Sequence, residues 1–148
     1  MTFLGRPRFS VLLAGDAEAD LDALEVTLAP SRGRLLQARG IGLACAALRR
    51  QEYAAAVADV VTVDEALAVI RAAGRTRPVT PVVCLLPADL DVTRAVGADA
   101  LHHLAFAVRQ HPIAAAELLD LVVDAVESPR LIAGVVADDE WETEAGVA

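Results

Sequence analysis

Short apolar runs alternate along this chain with stretches whose apolar residues recur every three or four positions. The first run, Phe9 to Ala14, stops at Gly15-Asp16. Leu21, Leu24 and Leu28 then share one face of a helix, and Pro30-Ser31-Arg32-Gly33 breaks it. Arg34 to Ala38 predicts a second strand, and Ile41 to Gln51 a helix with Leu43, Ala44, Ala47 and Leu48 inward. Tyr53 to Ala58 predicts a third strand, ended by Asp59; Asp64 then caps a helix carrying Leu67 and Ile70. Pro81 to Leu86 is the clearest buried strand, followed by a short helix over about 89–96. Gly97-Ala98-Asp99 turns into a fifth strand over Ala100 to Leu104. Pro112 opens a last helix with Ile113, Ala116, Leu119, Val122, Val123 and Val126 inward. Strands alternating with helices over about residues 9–127 predict an α/β fold, a parallel sheet covered by helices on both faces.

Composition narrows the picture. With 148 residues, 55% of them hydrophobic, the chain suits one domain with its own core, and the apolar fraction excludes intrinsic disorder. Thirteen basic against 21 acidic residues leave a net charge of −8, which disfavours nucleic acid and anionic membranes as partners. Every basic residue is arginine; there is no lysine. Cys45 and Cys84 form no disulfide framework or metal-ligand spacing and read as inert thiols. The start lacks a secretory apolar core, and no apolar stretch is long enough to cross a membrane, so the expectation is a cytoplasmic protein. Residues 128–148 form an extension: an apolar segment, Leu131 to Val136, and then Asp138, Asp139, Glu140, Glu142 and Glu144 around the single Trp141.

In a sheet of this kind ligands gather at the carboxyl ends of the strands. The residues there are Gly15-Asp16, Asp59, Leu86-Pro87 and Leu104-Ala105. Asp16 and Asp59 meet at one sheet edge, where paired carboxylates suit Mg²⁺ and an aspartate can accept a phosphoryl group. Plainer roles compete: Asp59 can end a strand, Asp16 can cap the first helix, and the acidic tail can be a solvated segment. His102 and His103 alternate across the expected fifth strand, with no third ligand nearby. Gly40-Ile41-Gly42-Leu43-Ala44-Cys45 imitates a dinucleotide fingerprint, but Cys45 is too bulky for its third glycine position, and the fingerprint belongs on the first strand.

The order and spacing resemble the receiver domain of two-component response regulators over about residues 9–127. Val11 to Asp16 is similar to its first strand, Tyr53 to Val60 to its third, Thr80 to Leu86 to its fourth, and Val96 to Leu101 to its turn into the fifth. The resemblance implies the strand order 2-1-3-4-5 and makes Asp59 the phosphoacceptor equivalent. It also exposes departures. The family's first metal-binding acid corresponds to Gly15, its switch Ser/Thr to Leu86, its switch aromatic to Leu101 or His102, and its lysine to Leu104. Arg94 and Arg109 are the candidate electrostatic substitutes, although a guanidinium is not placed like an ammonium. Aspartyl phosphorylation needs positive charge aimed at the developing oxyanions, and that supply is depleted here. The expectation is therefore a pseudoreceiver: a non-enzymatic signalling module with no resident cofactor, acting through protein partners without phosphorylation. The alternatives are a weakly phosphorylatable regulator using Asp59, Asp16 and Mg²⁺, and a small nucleotide- or metabolite-binding protein. Self-association is expected through the 89–127 face or the 129–136 segment.

Overall fold

The computed structural model describes residues 9–15 and 18–128. Five parallel strands form one sheet in the order β2-β1-β3-β4-β5, in agreement with the expectation. They are β1 (Phe9–Ala14), β2 (Gly33–Ala38), β3 (Ala55–Asp59), β4 (Val82–Leu86) and β5 (Ala107–Gln110). The helices are α1 (Glu18–Leu28), α2 (Ile41–Arg50), α3 (Val63–Gly74), α4 (Ala98–Leu104) and α5 (Ala115–Glu127). Alternation of side chains along the central strands builds two cores. Leu12, Ala14, Ala56, Ala58, Cys84 and Leu86 face α2, α3 and α4. Val11, Leu13, Ala55, Val57, Val83 and Leu85 face α1 and α5. Strands covered on both faces read as continuous apolar runs because successive residues enter opposite cores.

Several local expectations are corrected. Ala100 to Leu104 is not a strand: it lies in α4, and the fifth strand begins three residues later at Ala107. Gly97, at φ +90°, starts the helix, the Leu101 amide donates to the Gly97 carbonyl at 2.9 Å, and Ala98 and Leu101 are buried on one face. His102 and His103 accordingly sit exposed on a helix and do not alternate across a strand. The expected helix over 89–96 is only a single 3-10 turn, Val92–Arg94. Thr62, not Asp64, caps α3: its hydroxyl accepts from the Glu65 amide at 3.1 Å. Glu65 reaches back to the Val61 amide at 3.0 Å, completing a reciprocal cap. Leu43 is 63% exposed, not inward. In α5 the buried face is Leu118, Val122 and Ala125, and Ala116 is exposed.

Candidate functional site

The carboxyl ends of β1, β3 and β4 and the residue after β5 converge on Asp59. Its side chain retains 17% of its accessible surface, sunken but reachable from solvent. The neighbouring strands set what surrounds it. Gly15, directly after β1, adopts φ +135°, and a Cβ placed there would collide with the Asp59 carbonyl oxygen and approach its Cβ to 2.9 Å. Two hydrogen bonds from β2 hold this glycine in place. Its amide donates to the Ala38 carbonyl at 3.0 Å, and Gln37 Nε2 donates to its carbonyl at 2.7 Å. The position that the resemblance assigns to an acid therefore has no room for any side chain. Leu86, at the end of β4, is fully buried in the core shared with α2, α3 and α4, so that strand end offers no hydroxyl.

His111 follows β5 directly and faces Asp59. Its backbone amide donates to the Leu86 carbonyl at 2.9 Å, fixing the residue beside the end of β4. From there its Nε2 reaches Asp59 Oδ1 at 2.9 Å. An ionised carboxylate only accepts, so Nε2 must carry the proton in this pair, whether or not the ring is charged. The His111–Pro112 peptide is cis. Gln110 Nε2 ties the neighbouring loop down by donating to the Pro87 and Leu90 carbonyls at 3.0 and 2.7 Å.

These contacts correct the expected switch positions. Leu101 is a core residue of α4 and Leu104 is 56% exposed at its end; neither belongs to β5. The strand itself, Ala107-Val108-Arg109-Gln110, carries no aromatic. Arg94 pairs with Asp91 at 3.5 Å and Arg109 with Glu117 at 3.0 Å, so neither serves Asp59. His111 was missed because misplacing β5 put the strand end six residues too early. The legible signal was a polar residue before Pro112 and the opening of α5.

Among the described residues, the strand ends offer a divalent cation the Asp59 carboxylate alone. The Gly15 position excludes a carboxylate, Asp59 Oδ1 is engaged by His111, and no cluster of three His, Cys, Asp or Glu side chains forms among the described residues. Asp16 lies outside the described residues. The dinucleotide imitation stands elsewhere in the sheet: Gly40-Ile41-Gly42 follows β2, not the first strand, and opens α2.

Comparison with solved structures places this arrangement. A receiver domain protein (CheY-like) from Methanospirillum hungatei shares 16% identity at a TM-score of 0.61, covering 80% of this chain and 94% of that one. The receiver domain of a sensor histidine kinase from Pseudomonas aeruginosa shares 18% at 0.58, covering 81% and 98%, and has a magnesium ion coordinated in its active-site cleft. The chain has the receiver fold. An adenylate cyclase structure from Rhodopirellula baltica is also similar, at 17% identity and a TM-score of 0.63, covering 91% of this chain and 96% of that one. No protein-family model and no curated sequence relative matches the chain. What the sheet shares with these structures is its architecture.

Proposed function

We propose that this chain is a non-enzymatic signalling module on a receiver-like scaffold, whose output does not depend on phosphorylation of Asp59. The observation that carries the reading is the 2.9 Å contact from His111 Nε2 to Asp59 Oδ1. An internal imidazole already engages the carboxylate that would accept a phosphoryl group. Gly15 and Leu86 add that neither a second acid at the first position nor a strand-end hydroxyl is there to assist transfer. Magnesium is not a resident cofactor in this reading. The deciding experiment is incubation of the full chain with acetyl phosphate and Mg²⁺, followed by intact-mass measurement. The mass should stay unchanged; stoichiometric phosphorylation at Asp59 would overturn the proposal and establish the weakly phosphorylatable reading.

Such a module acts through surface contact. Leu104, at the end of α4, and Phe106, just before β5, are exposed at 56% and 38% in the α4–β5–α5 region. We take this face, within the expected 89–127 region, as the self-association surface. Leu104→Glu with Phe106→Glu should lower the mass seen by light scattering at high protein concentration. An unchanged mass removes this face as a dimer contact. The apolar 129–136 segment lies outside the described residues.

A further inference from the structure

Five of the thirteen arginines gather at the C-terminal ends of α2 and α3, at the edge of the sheet where the strands begin. Arg49 and Arg50 end α2, Arg71 sits in the last turn of α3, Arg75 caps α3, and Arg77 follows in the turn. A cleft of about 470 Å³ lies between them, lined by Arg49, Arg50, Arg75 and Arg77 and by one acid, Glu52. All five arginines are exposed, and none of their guanidinium groups makes a hydrogen bond or ion pair among the described residues. Elsewhere this acidic chain partners its arginines, as Arg94 with Asp91 and Arg109 with Glu117. A helix C-terminus favours a nearby cation by roughly 0.3–1 kcal/mol. That accounts for a basic residue at each helix end, but not for four converging on one cleft in a chain of net charge −8.

The chain carries a segment of complementary chemistry. Residues 138–144 hold Asp138, Asp139, Glu140, Glu142 and Glu144, with Trp141 among them. The connection is short enough. The strands are parallel and each helix returns the chain between them, so the helix C-termini share one end of the sandwich. The C-terminus of α5 is at that end, on the face opposite α2 and α3. Helix layers on the two faces lie about 20 Å apart, given a helix diameter of about 10 Å. The nine residues 129–137 can span up to about 30 Å. In a chain of net charge −8, a cleft lined by four arginines and one acid attracts an acidic segment. A tryptophan adds a face on which guanidinium groups stack.

We infer that this cleft binds a carboxylate-rich peptide and that its occupant is the chain's own 138–144 segment, bound in cis. The site lies at the opposite end of the sheet from Asp59, so its test is independent of the phosphorylation question. Trp141 is the single tryptophan and reports its own environment. In the full chain at low salt, its emission should be blue-shifted and its quenching by acrylamide, a neutral quencher, suppressed. Arg75→Glu with Arg77→Glu changes only exposed residues after α3 and should leave the far-ultraviolet circular dichroism intact while abolishing both effects. High salt should abolish them too, because it screens exposed charges. Adding Glu140→Arg and Glu142→Arg to that variant should restore them. Identical Trp141 emission and quenching in the native chain and the Arg75/Arg77 variant would overturn the inference. So would shielding that grows with protein concentration, which would assign the cleft to the tail of a second copy. A nucleoside triphosphate that binds the native chain but not the variant, with Trp141 unmoved, would make the cleft a phosphate-ligand site and equally overturn it.

Discussion

Gly15 shows how one residue's backbone can fix what stands beside a carboxylate. Its φ of +135° and the overlap that a Cβ would make with Asp59 mean that the position tolerates neither alanine nor an acid. Strained backbone at such positions costs of order 1–3 kcal/mol, before the steric overlap is added. Gly15→Ala should therefore lower stability in urea denaturation by at least that much. Gly15→Asp should destabilise without creating a Mg²⁺ site, as isothermal titration would show. At His111 the change to Lys restores a fixed positive charge beside Asp59, yet acetyl phosphate should still leave the mass unchanged, because Leu86 offers no hydroxyl and Gly15 no acid. Buried Cys84 marks the other extreme of reactivity. Burial raises its thiol from 9.0 to about 12, so the thiolate that reacts with disulfide reagents is scarce. At mildly alkaline pH the native chain should be modified at half-buried Cys45 first, and at Cys84 only after denaturation, as peptide mass mapping would show.

Among the elements, α4 and β5 carry the main lesson. Ala-Leu-His-His-Leu is too short for its periodicity to separate helix from strand, and an apolar start beside a Gly-Ala-Asp turn suits either. Tertiary packing decides: as a helix it buries Ala98 and Leu101 together against the face holding α3, whereas a strand would send alternate residues apart. Leu101→Ala should cost about 2–5 kcal/mol, the usual range for a buried leucine, and Leu104→Ala within about 0.5 kcal/mol, as for exposed positions. Equal costs at the two positions in thermal or chemical denaturation would contradict the helix. The real β5 escaped notice because it has four residues, only its first two partly buried, at the sheet edge. At α3, Thr62→Ala should remove about 1 kcal/mol by freeing the Glu65 amide.

On the scale of the whole molecule, two cores on either side of one sheet leave the strand ends and the helix C-termini as separate edges. Asp59 and His111 occupy the first, the arginine cleft the second. The interior also sets an alkaline limit. Cys84 is raised to about 12, and Tyr53 is raised mainly by burial, opposed by Arg34, so the folded state holds protons that the unfolded chain releases. The resulting stability is complete below about pH 9, where the unfolded thiol is still protonated. It falls as pH rises toward 12, by up to about 1.4 kcal/mol per pH unit for each group that titrates only in the unfolded chain. Urea midpoints measured from pH 8 upward should decline in that sense, and more gently in Cys84→Ala once its packing loss is subtracted. Long apolar runs and long helical periodicities are local signals strong enough to survive without context. For that reason the α/β class, β1, β4, α3, the strand order implied by the receiver resemblance and the place of Asp59 at a strand end were all legible in the chain. The α4–β5 boundary, the Gly15 overlap with Asp59 and the reach of His111 to that carboxylate were not. Each depends on residues dozens of positions apart, brought together by the register of four adjacent strands, and register is a property of the packed sheet that no local pattern contains.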